Sequence, residues 1–161
     1  MIDSKIVTQA EAVRISRRLK RRRQKIVFTN GCFDLVHSGH AVYLQKAREK
    51  GDFLIVGLNR DDSVRRLKGR GRPILKFRER AILLAYLIPV DLVVGFGEET
   101  PLRLIKKLKP DILVKGADYD ISEIVGADEV LGRGGKVVRI PLVRGRSTTR
   151  LVDRLLRGRA R

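Results

Sequence analysis

The sequence predicts an α/β protein in which helices cover both faces of one open parallel sheet. Short apolar runs rich in β-branched residues alternate along the chain with segments of helical periodicity, and this alternation is typical of parallel sheets. The 161 residues are about one domain's length, and no internal repeat or linker divides them. We therefore expect a single domain over residues 1–161, with a core over about 25–156 and a loose basic tail at 157–161.

Small polar residues, glycine and proline mark the ends of the predicted elements. The strand "KIVFTN" ends at Gly31, and the next helix is predicted to begin with Ser38 as its cap and to stop at Gly51. Thr100 stands before Pro101, which is typical of an N-cap followed by proline in the first helical turn. In chain order the predicted elements are a helix at 9–23, a strand at 25–30, a helix at 38–51, a strand at 53–59, a basic segment at 60–76, a helix at 77–87, a strand at 91–96, a helix at 100–109, strands at 111–116 and 136–140, and a terminal helix whose first turn holds 147–149.

The chain is strongly basic. It carries 36 Lys and Arg against 18 Asp and Glu, a net charge of +18 that attracts polyanions such as nucleotides and nucleic acids. Residues 14–25 contain eight cations and no anion, and residues 65–80 contain eight cations and one anion. We interpret the stretch at 14–25 as a solvated helix face, with nucleic-acid or membrane-surface binding as the alternatives.

Cysteine content and hydropathy bear on the compartment. The single cysteine, Cys32, cannot pair within the chain, which is typical of proteins from a reducing compartment. The amino terminus shows no apolar signal-peptide segment, and no apolar stretch reaches the roughly 18 residues of a membrane span. We expect a cytoplasmic protein without a membrane span.

Both histidines of the chain stand in one short stretch, "TNGCFDLVHSGH" (29–40). Ligands of open parallel sheets bind beyond the carboxyl ends of the strands, and this stretch leaves the first predicted strand. Gly31 permits a sharp turn there. Backbone amides at the following helix start can donate to an anion, as can the imidazoles of His37 and His40. The stretch therefore predicts a phosphate-binding site.

Three other interpretations of this stretch stay open. The histidines could be ordinary polar residues of a turn. A zinc site would have His37 and His40 as two ligands and Cys32 at best as a third, which leaves the fourth position unfilled. Cys32 could also be a nucleophile paired with a histidine, although its place before the bulky Phe33 favours a small buried filler.

The stretch "GCFDLVHSGH" resembles the TGxFDxxHxGH signature of the nucleotidyltransferase superfamily that shares its HxGH element with class I aminoacyl-tRNA synthetases. "RSTTR" (146–150) resembles the second signature, ISTT or ISSTxxR, at the start of a late helix, with Arg146 where isoleucine is common. Two motifs in this order are far more specific than either alone. The resemblance implies a Rossmann-like fold.

Further segments resemble the adenylyltransferase half of bacterial ADP-heptose synthases over nearly the whole chain. They read "IVFTNGCFDLVHSGH", "RDDSVRRLKGRGRP", "GEETPLRLI", "PDILVKGADY", "IVGADEVLGRGG" and "RSTT". The resemblance implies AMP transfer from ATP to D-glycero-β-D-manno-heptose 1-phosphate, with Mg²⁺, for lipopolysaccharide core biosynthesis. Bifunctional members also carry a sugar kinase domain, for which 161 residues leave no room, so we expect a stand-alone transferase.

The resemblance also implies roles for individual residues. His37 and His40 bind the triphosphate and stabilise the transition state, and Lys68 is a third catalytic group. Asp34 and Asp118 are expected near the sugar phosphate, with Asp34 also bonding amides of its own turn. No protein metal ligand is implied. The residues expected to bind the nucleotide are Thr29, Gly31, Cys32, Phe33, Gly39, Asn59, Arg80, Lys115, Ser147, Thr148 and Thr149.

Rival functions fall into two classes. Within the superfamily, the alternatives are a cytidylyltransferase for glycerol 3-phosphate or ethanolamine phosphate and a flavin adenylyltransferase. Outside it, a basic nucleic-acid-binding module is permitted by the charge but leaves the two histidines unexplained, and a non-catalytic nucleotide sensor lacks any lost catalytic position to support it. We expect ATP and a sugar 1-phosphate as partners, and a homodimer only by analogy with related enzymes.

Overall fold

The computed structural model describes residues 2–141, which form one sheet of six parallel strands. The strands are β1 (Ile6–Val7), β2 (Ile26–Gly31), β3 (Phe53–Asn59), β4 (Leu92–Phe96), β5 (Ile112–Gly116) and β6 (Lys136–Ile140). Their order across the sheet is β1-β4-β3-β2-β5-β6. β3 and β5 flank β2, so the order of the strands reverses at β2 and opens a crevice there.

Helices cover both faces of this sheet. One apolar layer holds α2 (Ser38–Arg48) and α4 (Phe77–Tyr86), and the opposite layer holds α1 (Gln9–Arg21), α5 (Leu102–Leu108) and α6 (Ala127–Leu131). A further helix, α3 (Asp61–Lys68), follows β3, and short 3-10 helices cover Ile2–Lys5 and Ile121–Glu123. The predicted class, an open parallel α/β sheet covered on both faces, is confirmed. Within residues 2–141, no helix combines the length and the apolar character that crossing a bilayer requires.

The central strand β2 shows how a continuous apolar run becomes buried on both sides. Val27 packs in the layer of α2 and α4, whereas Ile26 and Phe28 pack in the layer of α1 and α5. All three side chains are fully buried. On the neighbouring strand, a Cβ at Gly57 would come within 2.7 Å of the Phe28 ring, so only glycine fits beside that ring.

The first helix, α1, is amphipathic. The Thr8 hydroxyl accepts from the Glu11 amide at 3.2 Å, and the Glu11 carboxylate accepts from the Thr8 amide at 2.9 Å, so the helix begins in a capping box. Ala12, Ser16 and Leu19 are spaced by helical turns and are buried against the sheet. The arginines of this helix therefore lie on its exposed face.

Five elements were not predicted from the sequence: β1, α6, the two short 3-10 helices and α3. Helix α3 lies inside the segment expected to be basic at 60–76. The prediction that Thr100 caps a helix is wrong. The helix starts at Leu102, and Pro101 is its N-cap, so the Thr100 hydroxyl stands one residue too early to reach the first free amides. The predicted terminal helix near 147–149 lies outside the described residues.

Candidate active site

The loop at residues 32–37 leaves β2 at the point where the strand order reverses. Because all six strands are parallel, the carboxyl ends of β2, β3 and β5 meet at one edge of the sheet. The predicted site residues at 29–40, at 59 and at 115–118 therefore lie along the same edge. The parallel topology of the sheet is sufficient to place these residues near one another.

Phe33 gives this loop its shape. Its backbone has φ +44°, in the left-handed region that non-glycine residues seldom occupy. Its ring is 7% exposed and meets the His40 ring edge-on, with the centroids 5.1 Å apart. A Cβ at Gly31 would approach the Phe33 ring to 3.0 Å, so glycine at this position permits the ring to fold back onto the strand end. Packing of the ring stabilises the strained backbone.

The two histidines form the first turn of α2. His37 is the N-cap residue, and its Nδ1 accepts from the Gly39 amide at 3.1 Å. His40 Nδ1 accepts from the His37 amide at 3.4 Å, and the two rings stack with centroids 3.9 Å apart. The prediction of Ser38 as the cap is wrong, because Ser38 is the first helical residue and the imidazole of His37 takes over the capping bond.

These bonds fix the tautomers of both rings. A neutral imidazole whose Nδ1 accepts a hydrogen bond carries its proton on Nε2. Burial and, to a smaller extent, the nearby charges of His37 and Lys68 together lower the pKa of His40 to about 4. His40 is therefore neutral at pH 7, and it offers an Nε2–H donor rather than a positive charge.

Lys115, at the end of β5, brings a positive charge next to Cys32. Burial lowers the pKa of Lys115 to about 8, whereas the charges of Cys32 and Asp118 act to raise it. Its Nζ lies 5.7 Å from the centroid of the Tyr119 ring. Burial raises the pKa of the Cys32 thiol, against the opposing effects of Lys68 and Arg80. The thiol is therefore a poor nucleophile at neutral pH, which favours the filler interpretation.

Arg80 is fully buried beneath the loop. Its Nη1 donates to the carbonyl oxygens of Cys32 at 2.6 Å and Asn59 at 2.9 Å, and its Nε donates to Leu75 O at 2.9 Å. Its Nη2 forms an ion pair with Asp61 Oδ1 at 2.6 Å. These contacts tie the ends of β2 and β3 together, so Arg80 positions the site. Its direct contact with a nucleotide stays a prediction.

Asp34 joins two distant segments. Its side chain is 3% exposed; it forms an ion pair with Arg72 at 2.7 Å and accepts from the amides of Ile74 at 2.6 Å and Leu75 at 3.3 Å. The prediction that Asp34 bonds amides of its own turn is wrong, because its acceptors are used by a segment about forty residues further along the chain. Its role at the sugar phosphate stays a prediction.

Two predicted nucleotide contacts have partners within the protein. The Thr29 hydroxyl is fully buried and lies 2.8 Å from the Tyr43 hydroxyl. Asn59 is 3% exposed, and its amide donates to Ser63 Oγ at 2.9 Å. Both side chains anchor strand ends to the helices that follow. The structure therefore gives Thr29 and Asn59 supporting positions behind the loop.

The remaining predicted residues divide into two groups. Gly39 is buried in the first turn of α2, and Lys68 and Asp118 are exposed at the same edge, close enough for their charges to shift the pKa values of His40 and Lys115. The second group is Ser147, Thr148 and Thr149, which lie outside the described residues together with Arg146.

Two residues that hold the site together were not identified from the sequence. Arg72, which the charge run presents as surface, has an 18% exposed side chain paired with Asp34. Asp61, in the first turn of α3, pairs with Arg80. Neither residue had a signal in the sequence, because α3 was not predicted and each ion pair joins residues far apart in the chain.

Comparisons with known proteins identify the family of this chain. A profile of the cytidylyltransferase-like family matches residues 28–153. The chain is 56% identical over 155 residues to the Bifunctional protein HldE of Syntrophotalea carbinolica, covering 96% of this chain and 31% of that protein. It is 56% identical over 147 residues to the protein of the same name in Gluconobacter oxydans, covering 91% of this chain and 31% of that protein. The chain thus spans about a third of the length of these curated relatives.

Solved structures share the fold of this chain. The lipopolysaccharide core biosynthesis protein from Thermoplasma volcanium GSS1 has a TM-score of 0.64 and 31% identity, covering 74% of this chain and 98% of that chain. Pantoate-beta-alanine ligase from Francisella tularensis has a TM-score of 0.61 at 18% identity over 86% of this chain and 67% of its own, which shows the shared fold. The family profile matches most of the chain, so the protein belongs to the cytidylyltransferase-like family of the nucleotidyltransferase superfamily.

Proposed function

We propose that this protein is an adenylyltransferase that moves AMP from ATP to D-glycero-β-D-manno-heptose 1-phosphate, giving ADP-heptose and pyrophosphate for lipopolysaccharide core biosynthesis. The stacked histidine pair at the start of α2 is the observation that carries the transferase chemistry. The segments that resemble ADP-heptose synthases, and the likeness to a lipopolysaccharide core biosynthesis protein, support the choice of sugar phosphate. We also propose a cytoplasmic location, because the reaction consumes ATP.

The proposed reaction is an in-line displacement. An oxygen of the sugar phosphate forms a bond to the α-phosphorus of ATP while the bond from that phosphorus to the bridging oxygen breaks. Pyrophosphate leaves with the electron pair of the broken bond. The attacking phosphate is already deprotonated near neutral pH, so the reaction requires no protein nucleophile. The protein must instead position the two substrates and stabilise the charge on the phosphoryl oxygens.

The histidine pair can stabilise the charge on the phosphoryl oxygens without changing its protonation state. In our proposal, the Nε2–H groups of His37 and His40 donate to the phosphate oxygens of ATP. Each donor that is already in place for the transition state contributes about 3 kcal/mol. The hydrogen bonds at Nδ1 hold both rings in position before substrate binds, so little reorganisation accompanies the reaction.

Cations at the same edge supply the positive charge that the neutral histidines do not provide. We propose that Lys68 and Lys115 contact the phosphate groups of the two substrates, since both act electrostatically on residues of the loop after β2. Ser147, Thr148 and Thr149 are proposed to contact the β- and γ-phosphates through their hydroxyls, on the strength of the second signature motif alone.

Magnesium is proposed to accompany ATP. Within residues 2–141, no three His, Cys, Asp or Glu side chains come together in a way that could hold a metal ion. The ion would thus take its ligands from phosphate oxygens and water, as Mg²⁺ commonly does with nucleotides. When bound it would neutralise part of the phosphate charge. Addition of EDTA should abolish turnover, and excess Mg²⁺ should restore it.

The deciding experiment measures pyrophosphate release by the purified full chain with Mg²⁺. ATP and CTP are each combined with heptose 1-phosphate, glycerol 3-phosphate and FMN. We expect release only from ATP with heptose 1-phosphate. Release from CTP with glycerol 3-phosphate would assign the chain to a cytidylyltransferase role instead, and release from ATP with FMN would assign it to flavin adenylylation. Failure of every pair would contradict the transferase proposal.

The exposed apolar groove between α2 and the end of α4 supports a homodimer, which we propose as the assembly. Val42 is 42% exposed, Tyr86 65% and Ile88 92%. Lys46 and Glu49 line the same groove, so two-fold pairing can oppose the lysine of one copy to the glutamate of the other. Sedimentation velocity should give the mass of a dimer, and Ile88→Lys should shift it to the monomer.

A further inference from the structure

A second concave surface lies at the amino-terminal edge of the sheet, opposite the histidine pair. It is a groove of about 680 Å³ at the starts of β2, β5 and β6. A strand the length of β2 separates the two edges by roughly 20 Å. We call this surface the basic groove, because six cations and one acid line it: Lys20, Lys25, Lys50, Lys109, Arg133, Lys136 and Asp111.

Most of the charge in the basic groove is not neutralised within residues 2–141. Asp111 forms an ion pair with Lys20 at 3.0 Å and also accepts from the amide of Ile26 at 2.8 Å. Arg133 pairs with Glu129. The other four lysines, at 25, 50, 109 and 136, are exposed and have no acidic partner in the described part of the chain. They therefore leave a concentrated positive field in the groove.

The exposed side of α1 extends this field. Lys20, in the last turn of the helix, lines the groove, and the residues that follow lead directly to Lys25. We call the flanking surface the arginine face; it comprises Arg17, Arg18, Arg21, Arg22 and Arg23. All five are exposed, and none forms an ion pair with a residue of the 2–141 range. Residues 17–23 span roughly 10 Å at about 1.5 Å per residue, so the arginine face lengthens the basic surface beyond the groove.

Helix dipoles do not account for this arrangement. A cation in the last turn of a helix offsets the partial negative charge of the carbonyl end, which explains Lys20 and Arg21. Lys25 precedes a strand and Lys136 begins one, so neither lies at a helix end. The substrates of the proposed transferase do not explain it either, because the groove opens at the edge away from the loop after β2.

We propose that the basic groove and the arginine face together bind the phosphate backbone of a nucleic-acid duplex, without reading its sequence. A duplex carries one negative charge per roughly 1.7 Å, so the roughly 10 Å of the arginine face spans about six phosphate charges. The exposed arginines and lysines supply the opposite charge along this length. This surface is separate from the active site, and duplex binding to it does not depend on the identity of the sugar phosphate.

Two observations favour a duplex over other polyanions. No aromatic side chain is among the residues that line the groove in the described part of the chain, so stacking of single-stranded bases has no platform there. The larger apolar side chains of α1 pack toward the sheet, with Leu19 buried and Val13 and Ile15 partly buried in the same apolar layer. The helix therefore has no free apolar face to insert into an anionic membrane.

The test is fluorescence anisotropy of a short labelled DNA duplex of arbitrary sequence, titrated with the full chain over a range of salt concentrations. The variant Lys25→Glu, Lys50→Glu, Lys136→Glu reverses three charges in the groove. Its matched control, Arg65→Glu, Arg70→Glu, Arg78→Glu, makes the same change in net charge at exposed positions of the carboxyl edge. We expect the groove variant to bind at least about tenfold more weakly and to lose about 3 from the salt slope, since each phosphate contact contributes about 0.9.

We expect the control to keep the affinity of the unmodified protein, and saturating ATP to leave duplex binding unchanged. Equal weakening of both variants would overturn the proposal, because the attraction would then be diffuse. Displacement by ATP would overturn it by placing the duplex at the active site. Tighter binding to vesicles containing phosphatidylglycerol than to the duplex would assign the surface to membranes instead. If thermal unfolding shows the groove variant to be unfolded, the corresponding glutamine variant replaces it, with the same expected direction.

Discussion

The two edges of the sheet use charge in opposite ways. At the carboxyl edge, Arg80 and Asp34 are buried, and each binds backbone groups and an oppositely charged side chain. At the amino edge, Lys25, Lys50 and Lys136 are exposed and have no acidic partner within residues 2–141. Buried and paired charges fix the positions of atoms, whereas exposed and unpaired charges produce a field. The carboxyl edge has exposed cations as well, such as Lys68, but only this edge has the fully buried arginine and its network, and it is therefore suited to chemistry. The lysines of the amino edge are suited to attraction.

The largest expected effect comes from removing the buried cation of the carboxyl edge. Arg80→Met should lower the free energy of unfolding by about 3 kcal/mol or more, because Asp61 and three carbonyl oxygens lose their donors in a buried setting. Urea denaturation followed by circular dichroism measures the loss. The matched control is Arg78→Met on the exposed side of the same helix, which should change stability by no more than about 0.5 kcal/mol.

A small loss of unfolding free energy in Arg80→Met would contradict the contrast between the two edges. It would show that the carboxyl edge, like the amino edge, tolerates charged and polar groups without partners. Retained stability combined with lost pyrophosphate release would instead indicate that Arg80 acts directly on the nucleotide.

The histidine pair should give the next largest effect, in turnover more than in stability, because loss of the His37 cap should cost only about 1 kcal/mol. His37→Ala and His40→Ala should each lower kcat by about a hundredfold or more, since each removes a donor that the proposed transition state requires. Pyrophosphate release measures the change, and thermal unfolding checks the fold. Ser38→Ala is the control between them, because Ser38 is exposed and does not supply the capping bond. Near-normal activity in both alanine variants would contradict the mechanism.

A matched pair of carboxylates sharpens the comparison between the edges. Asp34 and Asp111 each accept from backbone amides and pair with a cation, but Asp34 is 3% exposed and Asp111 is 38% exposed. Asp34→Asn should cost about 2 kcal/mol of unfolding free energy, because the Arg72 charge stays largely buried without its partner. Asp111→Asn should cost about 1 kcal/mol or less, since water screens its pair with Lys20. Urea denaturation measures both losses. Equal losses of unfolding free energy in the two variants would show that the exposure of the carboxylate does not determine its contribution.

Local sequence patterns predicted the features that depend on neighbours in the chain. The bounds of β3 and β6 match the prediction, because each strand is a short apolar run between turn residues. The histidine pair at the start of α2 was also predicted, since the loop and the helix start are contiguous in sequence.

Features that depend on distant segments were not predictable in this way. The partners of Asp34 lie about forty residues along the chain, and nothing in the spacing of Asp34 and Arg72 indicates their ion pair. Helix α3 has only eight residues with two buried positions, too few for a clear period. The cap at His37 was assigned to Ser38 because serine is the commoner capping residue, whereas the loop after β2 delivers an imidazole to that position.

The smallest expected effect concerns pH, and it tests whether Lys115 supplies charge at the carboxyl edge. Burial lowers the pKa of Lys115 to about 8, so the lysine loses its positive charge as the pH rises through that value. The ratio kcat/KM reports the ionisation of the free protein, so it should fall by about tenfold per pH unit above 8. Arginine keeps its charge throughout this range, so Lys115→Arg should move the decline to higher pH even if it lowers the maximum rate. Lys106→Arg, at an exposed position on α5, is the control and should keep the decline near pH 8. An unchanged profile in Lys115→Arg would assign the decline to another group and remove Lys115 from the proposed phosphate contacts.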